Sequence, residues 1–130
     1  MTISTFDDFQ FACLDRAIYP EDFKIIYPAL GLPGEVGEVC EKVTELITLR
    51  MAAHAGQVAN QAKKILRDDD GEITMDRRVA IAKEIGGVLW YCAALATDLG
   101  LNLGDIARQN AAILASREAR GTLRGDGDDR

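Results

Sequence analysis

Proline is absent after residue 33, so nothing interrupts helix formation over the remainder of the 130-residue chain. Aromatic residues are also few, one tryptophan, three tyrosines and four phenylalanines, and the apolar fraction is mainly alanine and aliphatic side chains. That balance predicts an all-α protein. Basic charge is not in excess. A net charge of -6 argues against a binder of duplex nucleic acid, which normally presents a basic face to the phosphates. Cysteine is limited to Cys13, Cys40 and Cys92, an odd and widely spaced set that suggests neither a disulfide framework nor a zinc site. Reduced, buried thiols in a cytoplasmic protein are expected. The N-terminus shows no basic segment followed by an apolar one, and no stretch reads as an uninterrupted membrane span. The expectation is a soluble, unexported protein with no membrane partner, and at this length a single domain over residues 1–130.

Along the chain, Thr5 reads as the cap of a first helix with Asp7 and Asp8 in its first turn, running to about Tyr19 and ended by Pro20. After a short apolar piece, Phe23 to Tyr27, a second helix is predicted from Ala29 or Leu30 to about Ala53, with Glu35, Glu38, Glu41 and Glu45 in a row. Gly56 either breaks that helix or only weakens it, because Val58, Ala62, Ile65 and Leu66 keep the helical period. Residues 67–72 form a turn. A helix from about Met75 to Leu99 follows, apolar nearly all round, then Gly100 as a stop, Asn102 as a cap, and a last helix to about Ala119. A helix apolar on every side must be enclosed on every side. Four or five helices in one chain of this size supply too few neighbours, so a bundle completed by homo-oligomerisation, as dimer or tetramer, is expected. The tail 121–130 is glycine-rich and charged and reads as disordered by itself.

Acids stand where helices should be apolar. Glu35 and Glu38, three apart, share a helix face with Cβ atoms roughly 5 to 6 Å apart, and Glu84 is embedded in the apolar run from Val79 to Leu99. Facing one another across a bundle, these carboxylates could share a hard divalent cation. The plainer reading is a solvated Glu35–Glu38 pair, with Glu84 paired to Lys83 or Arg78. Cations for a phosphate tail are available from Lys42, Lys63, Lys64 and Arg67, or from Arg117, Arg120 and Arg124, all of which serve equally as surface or helix-end charges. Trp90 and Tyr91 are expected in the core. His54, the one histidine, has no evident partner in the sequence and no role is assigned to it.

The segments Gly31-Leu-Pro-Gly-Glu35-Val-Gly-Glu38-Val-Cys-Glu41-Lys42 and Lys83-Glu84-Ile-Gly-Gly87-Val-Leu-Trp90-Tyr91, with Asn110, Arg117 and the closing Arg120-Gly-Thr-Leu-Arg124-Gly-Asp-Gly-Asp-Asp-Arg130, resemble the MazG-like nucleotide pyrophosphohydrolases, a group of all-α NTP pyrophosphatases. The resemblance runs from about Tyr27 to the C-terminus. It implies magnesium-dependent hydrolysis of ribo- or deoxyribonucleoside triphosphates to the monophosphate and pyrophosphate, with manganese as an alternative ion. By position, Glu35, Glu38 and Glu84 would be metal ligands, Glu38 and Glu84 catalytic, and Asn110, Arg117, Arg120 and Arg124 substrate contacts alongside Lys42, Lys63 and Arg67. Where that family's signature has an aspartate, this chain has Gly87, with Glu41 as the nearest acid that could replace it. The same glycine implies the alternative of a catalytically impaired relative that binds nucleotide as a sensor. The tail's likeness to the family's ending implies that it orders over bound nucleotide.

Overall fold

The computed structural model describes residues 2–42 and 46–124. Among these there are five α-helices and no strand: α1 (Phe6–Leu14), α2 (Ile26–Lys42), α3 (Leu46–Asp68), α4 (Met75–Asp98) and α5 (Leu103–Ala119), with a 3-10 turn at Glu21–Phe23. The all-α expectation holds. The described residues fall into two compact units, one drawn from Met1–Ile18 and Ala96–Arg130, the other Tyr19–Leu95.

In the first unit, Thr5 caps α1 as its sequence predicts. Its hydroxyl accepts from the Asp8 amide at 3.1 Å, and the Asp8 carboxylate accepts from the Thr5 amide at 2.9 Å, a reciprocal capping box. The helix is shorter than predicted. It ends at Leu14 because the amides of Arg16 and Ala17 bond the carbonyls of Cys13 and Leu14, tight turns that lead the chain off the helical path. Arg16 then reaches Glu118 of α5 at 3.0 Å. The Asn102 side chain accepts from Gly104 and Asp105 and starts α5. Gly100 and Gly121, both at positive φ, end α4 and α5. Each is followed by an amide that reaches back five residues, Leu101 to Ala96 and Thr122 to Arg117, which satisfies carbonyls the helices leave open.

The second unit is built on matching stripes. Among the described residues of α3, Met51, Ala55, Val58, Ala62 and Ile65 are buried, at alternating steps of four and three, and α2 answers with Ala29, Leu32, Val36 and Val39. Burial of each larger aliphatic side chain stabilises the unit by about 1.5 to 3 kcal/mol. α4 adds Ile81, Val88, Tyr91 and Cys92 to the same two clusters.

Two boundaries differ from the sequence reading. α2 starts at Ile26 and runs through Pro28 and Pro33. Pro28 lies in the first turn, where an amide has no helical partner, and Pro33, inside the helix, leaves the Ala29 carbonyl without its helical donor. The helix expected to run on to about Ala53 is divided between two elements, α2 ending at Lys42 and α3 beginning at Leu46, and α3 then runs through Gly56, the one of the two readings left open there in which the glycine weakens the helix without breaking it. The turn after α3 is closed by Arg77, whose Nε donates to Asp69 at 2.6 Å and whose Nη1 donates to Gln61 at 3.1 Å.

Candidate functional site

α4 carries an acid in its packed stripe. Ile81, Val88 and Tyr91 pack into the unit, and Glu84 falls between them at the same helical spacing. An ionised carboxylate in that position needs a partner. Neither Lys83 nor Arg78 supplies one. Both are exposed, and the partner is His54 of α3, whose Nδ1 lies 2.6 Å from Glu84 Oε2. The pair is part-buried, with 36% of the His54 side chain and 20% of the Glu84 side chain exposed.

His54 is the residue that sequence reasoning missed. It stands three after Met51 and four before Val58, in register with the buried stripe of α3, and that register was the available signal. Gly87 makes room for its ring. A Cβ at residue 87 would meet Cε1 and Nδ1 of His54 at 2.7 Å and Cγ at 2.8 Å, closer than side-chain atoms pack. Tyr91 flanks the ring, with centroids 5.8 Å apart.

Glu35 and Glu38 are exposed on α2, and neither makes an ion pair or side-chain hydrogen bond among the described residues. Glu41 lies in α2, but its side chain is outside the described residues, as are Glu45 and residues 125–130 of the tail. No three His, Cys, Asp or Glu among the described residues stand close enough to hold a metal ion together. The structure thus brings Glu84 to His54, and it does not gather Glu35, Glu38 and Glu84 into one cage.

The expected cations fall in both units. Lys42 and Lys63 are exposed on α2 and α3. Arg67 is held in a two-point contact to its neighbour Asp68, at 2.6 and 2.9 Å. Asn110, Arg117, Arg120 and Arg124 all belong to the other unit, where Asn110 and Arg124 are exposed, Arg117 is half-buried and Arg120 Nε donates to the Ser116 carbonyl at 3.3 Å.

Trp90 corrects the core expectation. It is 62% exposed in the single chain and sits edge-on to Tyr91 at 4.7 Å. Val79 is 63% exposed, and Ile85 and Leu89 are exposed as well. A groove of about 540 Å³ shares Ile85 and Leu89 with this face and is lined also by Leu32, Val58, Ile81 and Val88, with Arg78 its charged residue. α4 is also the one helix among the described residues long and apolar enough to cross a membrane by length and composition. The sequence reading had found no such stretch. Burial pushes the Cys13 and Cys92 thiols up, which keeps them protonated, and none of the three cysteines, each only half-buried, forms a disulfide.

The chain is 37% identical over 126 residues to the "Gene 37 protein" of Mycobacterium phage L5, an alignment that covers 95% of this chain and 97% of that one. No protein-family model matches the chain. No solved structure matches it.

Proposed function

This chain belongs to the family of the Gene 37 protein of Mycobacterium phage L5, and we propose that it is a nucleoside triphosphate pyrophosphohydrolase resembling the MazG-like enzymes and acting in the cytoplasm. The observation that carries the reading is the distribution of acid in the Tyr19–Leu95 unit: Glu35 and Glu38 sit on one face of α2 with no ion pair among the described residues, and Glu84 is held in the packed stripe of α4. Carboxylates so placed are poorly explained by stability. Unpaired neighbours of like charge repel, and a part-buried acid has a desolvation cost.

The donor set fits magnesium carried in with its triphosphate. Such an ion is usually held by one or two carboxylates, with water and phosphate oxygens completing the shell. Glu35 and Glu38 would hold it. When bound, it would neutralise phosphate charge and lower the pKa of a coordinated water. In this reading Glu38 orients the attacking water and accepts its proton. The water oxygen bonds the α-phosphorus as the bond to the bridging oxygen breaks, and pyrophosphate leaves with that electron pair. The uncovered face of α4 and its groove support a homo-oligomer, in which a second copy shields both.

A second reading is favoured by one observation. Gly87 offers no side chain, and Glu84 Oε2 is engaged by His54. A chain built that way could retain nucleotide with little turnover. Pyrophosphate and orthophosphate release from a panel of ribo- and deoxyribonucleoside triphosphates, with magnesium, with manganese and with chelator, separates the two. Metal-dependent pyrophosphate release is expected. A folded protein that releases none but still binds nucleotide would overturn the enzyme reading in favour of the sensor.

A further inference from the structure

We infer that the apolar groove of the Tyr19–Leu95 unit is a binding site for a free long-chain carboxylate, with the tail in the groove and the carboxylate on Arg78. None of Glu35, Glu38 and Glu84 lines it, so the site goes beyond the hydrolase reading and does not depend on it. Every lining side chain other than Arg78 is apolar, among them Ile25 just before α2, Leu32 of α2, Val58 of α3 and Ile81 and Ile85 of α4. The volume of about 540 Å³ lies within the range of roughly 300 to 1,000 Å³ typical of small-molecule sites.

Chemistry and size select the tail. With no hydrogen-bonding side chain but Arg78, the groove would leave the polar edges of a nucleobase or a sugar unpaired, which is costly away from water. A helix is about 10 Å across, so two turns of one take up about 850 Å³. A helix of a second copy would therefore cover this groove without filling it. An alkyl chain is narrow enough to enter and has no polar atom to satisfy.

The wall of the groove is kept at a cost. Ile25 has a φ of 70°, in the left-handed region where a β-branched residue is strained. Glycine or asparagine would rest there more easily. The chain instead places a branched apolar side chain at that point, and it lines the groove. Strain of this kind concentrates at ligand clamps. The Ile25 carbonyl accepts from the Ala29 amide at 2.9 Å, which ties the strained residue to the first turn of α2.

Arg78 selects the head group. Its neighbour Arg77 is engaged by Asp69 and Gln61, whereas the Arg78 side chain is exposed and makes no ion pair or hydrogen bond among the described residues. A guanidinium is always charged and presents a fork of donors that matches a carboxylate at two points. An apolar groove beside such a cation is complementary to an apolar chain that ends in one anion.

Calorimetric titration of the full-length protein with decanoate, dodecanoate and tetradecanoate, each below its micelle concentration, tests the site. Saturable binding is expected, tightening by up to about fourfold for each added methylene and weakened at least about tenfold in Arg78→Ala. Dodecanol, which has the tail without the charge, should bind wild type and Arg78→Ala alike. Ala82→Trp fills the groove from an exposed position and should abolish binding. Ile25→Asn should unfold at no lower temperature than wild type and bind more weakly. A folded wild type that binds none of the three acids would overturn the proposal, as would an affinity indifferent to chain length or to Arg78→Ala. Binding to phosphatidylglycerol vesicles but not to the free acids would overturn it in favour of a membrane surface. A silent wild-type oligomer whose Trp90→Glu monomer takes up dodecanoate would give the groove to the second copy. The titration needs no nucleotide, so pyrophosphate release without carboxylate binding would remove this site alone, and carboxylate binding without release would remove the hydrolase reading alone.

Discussion

A Cβ on Gly87 would lie 2.7 Å from two atoms of the His54 ring, whereas one on its neighbour Gly86 would meet nothing within 4 Å. Two adjacent glycines in one helix therefore answer to different constraints. Gly86→Ala should stabilise the protein by about 0.5 to 1 kcal/mol through helix propensity alone. Gly87→Ala gains the same term and loses about 1 to 3 kcal/mol to overpacking against the ring, a net destabilisation of about 1 kcal/mol. Urea unfolding of the two variants checks this, and equal stabilisation by both would mean that the ring does not occupy that space.

The capping box of α1 gives a pH signature. Hydrogen bonds from the Ser4 side chain and backbone, then from Thr5, lower the Asp8 carboxyl from 3.8 to about 2. A group depressed on folding contributes stability that is complete above its unfolded value and is lost as pH falls through the folded one. The difference in stability between wild type and Asp8→Asn should therefore be constant above about pH 5 and shrink between about pH 4 and pH 2. Thermal unfolding of both proteins across that window measures it, and a difference that does not change with pH would show that the box does not hold the carboxylate ionised.

Much of this architecture is legible in the residues because local chemistry decides it. Thr5, Asn102, Gly100 and Gly121 act at helix ends through their own side chains or backbone freedom, and the α3 stripe from Met51 to Ile65 is plain periodicity. The start of α2 was misplaced because Pro28 reads as a breaker, although it is tolerated in a first turn. Glu84 was singled out for the right reason, an acid among apolar residues. Its partner was missed because pairing across 30 positions, from α3 to α4, leaves no local mark. Gly87 was legible only as a missing carboxylate. That it is a space for an imidazole depends on how α3 and α4 lie together.

The acids of α2 and α4 should separate stability from turnover. Glu35 and Glu38 are exposed and unpartnered among the described residues, so Glu35→Gln and Glu38→Gln should each leave unfolding within about 0.5 kcal/mol of wild type while lowering pyrophosphate release by about 100-fold or more. Glu84→Gln should lower release similarly and also destabilise by about 1 kcal/mol, because it weakens the bond from His54. Full turnover in either α2 variant would remove Glu35 and Glu38 from the site.

The outward face of α4 tests the oligomer. Val79 and Trp90 are eleven apart, three helical turns, so they share one side of the helix, and each is more than 60% exposed in the single chain. If a second copy covers this face, a charge there breaks the assembly and spares the fold, since neither side chain is buried within its own chain. Val79→Glu and Trp90→Glu should therefore run as folded monomers by light scattering, where wild type runs as a dimer or tetramer, and their helical circular dichroism should be unchanged. A monomeric wild type that stays in solution would remove the oligomer from the proposal. A wild type that co-sediments with lipid vesicles, and stops doing so in Trp90→Glu, would mean that α4 meets a membrane surface instead of its own copy.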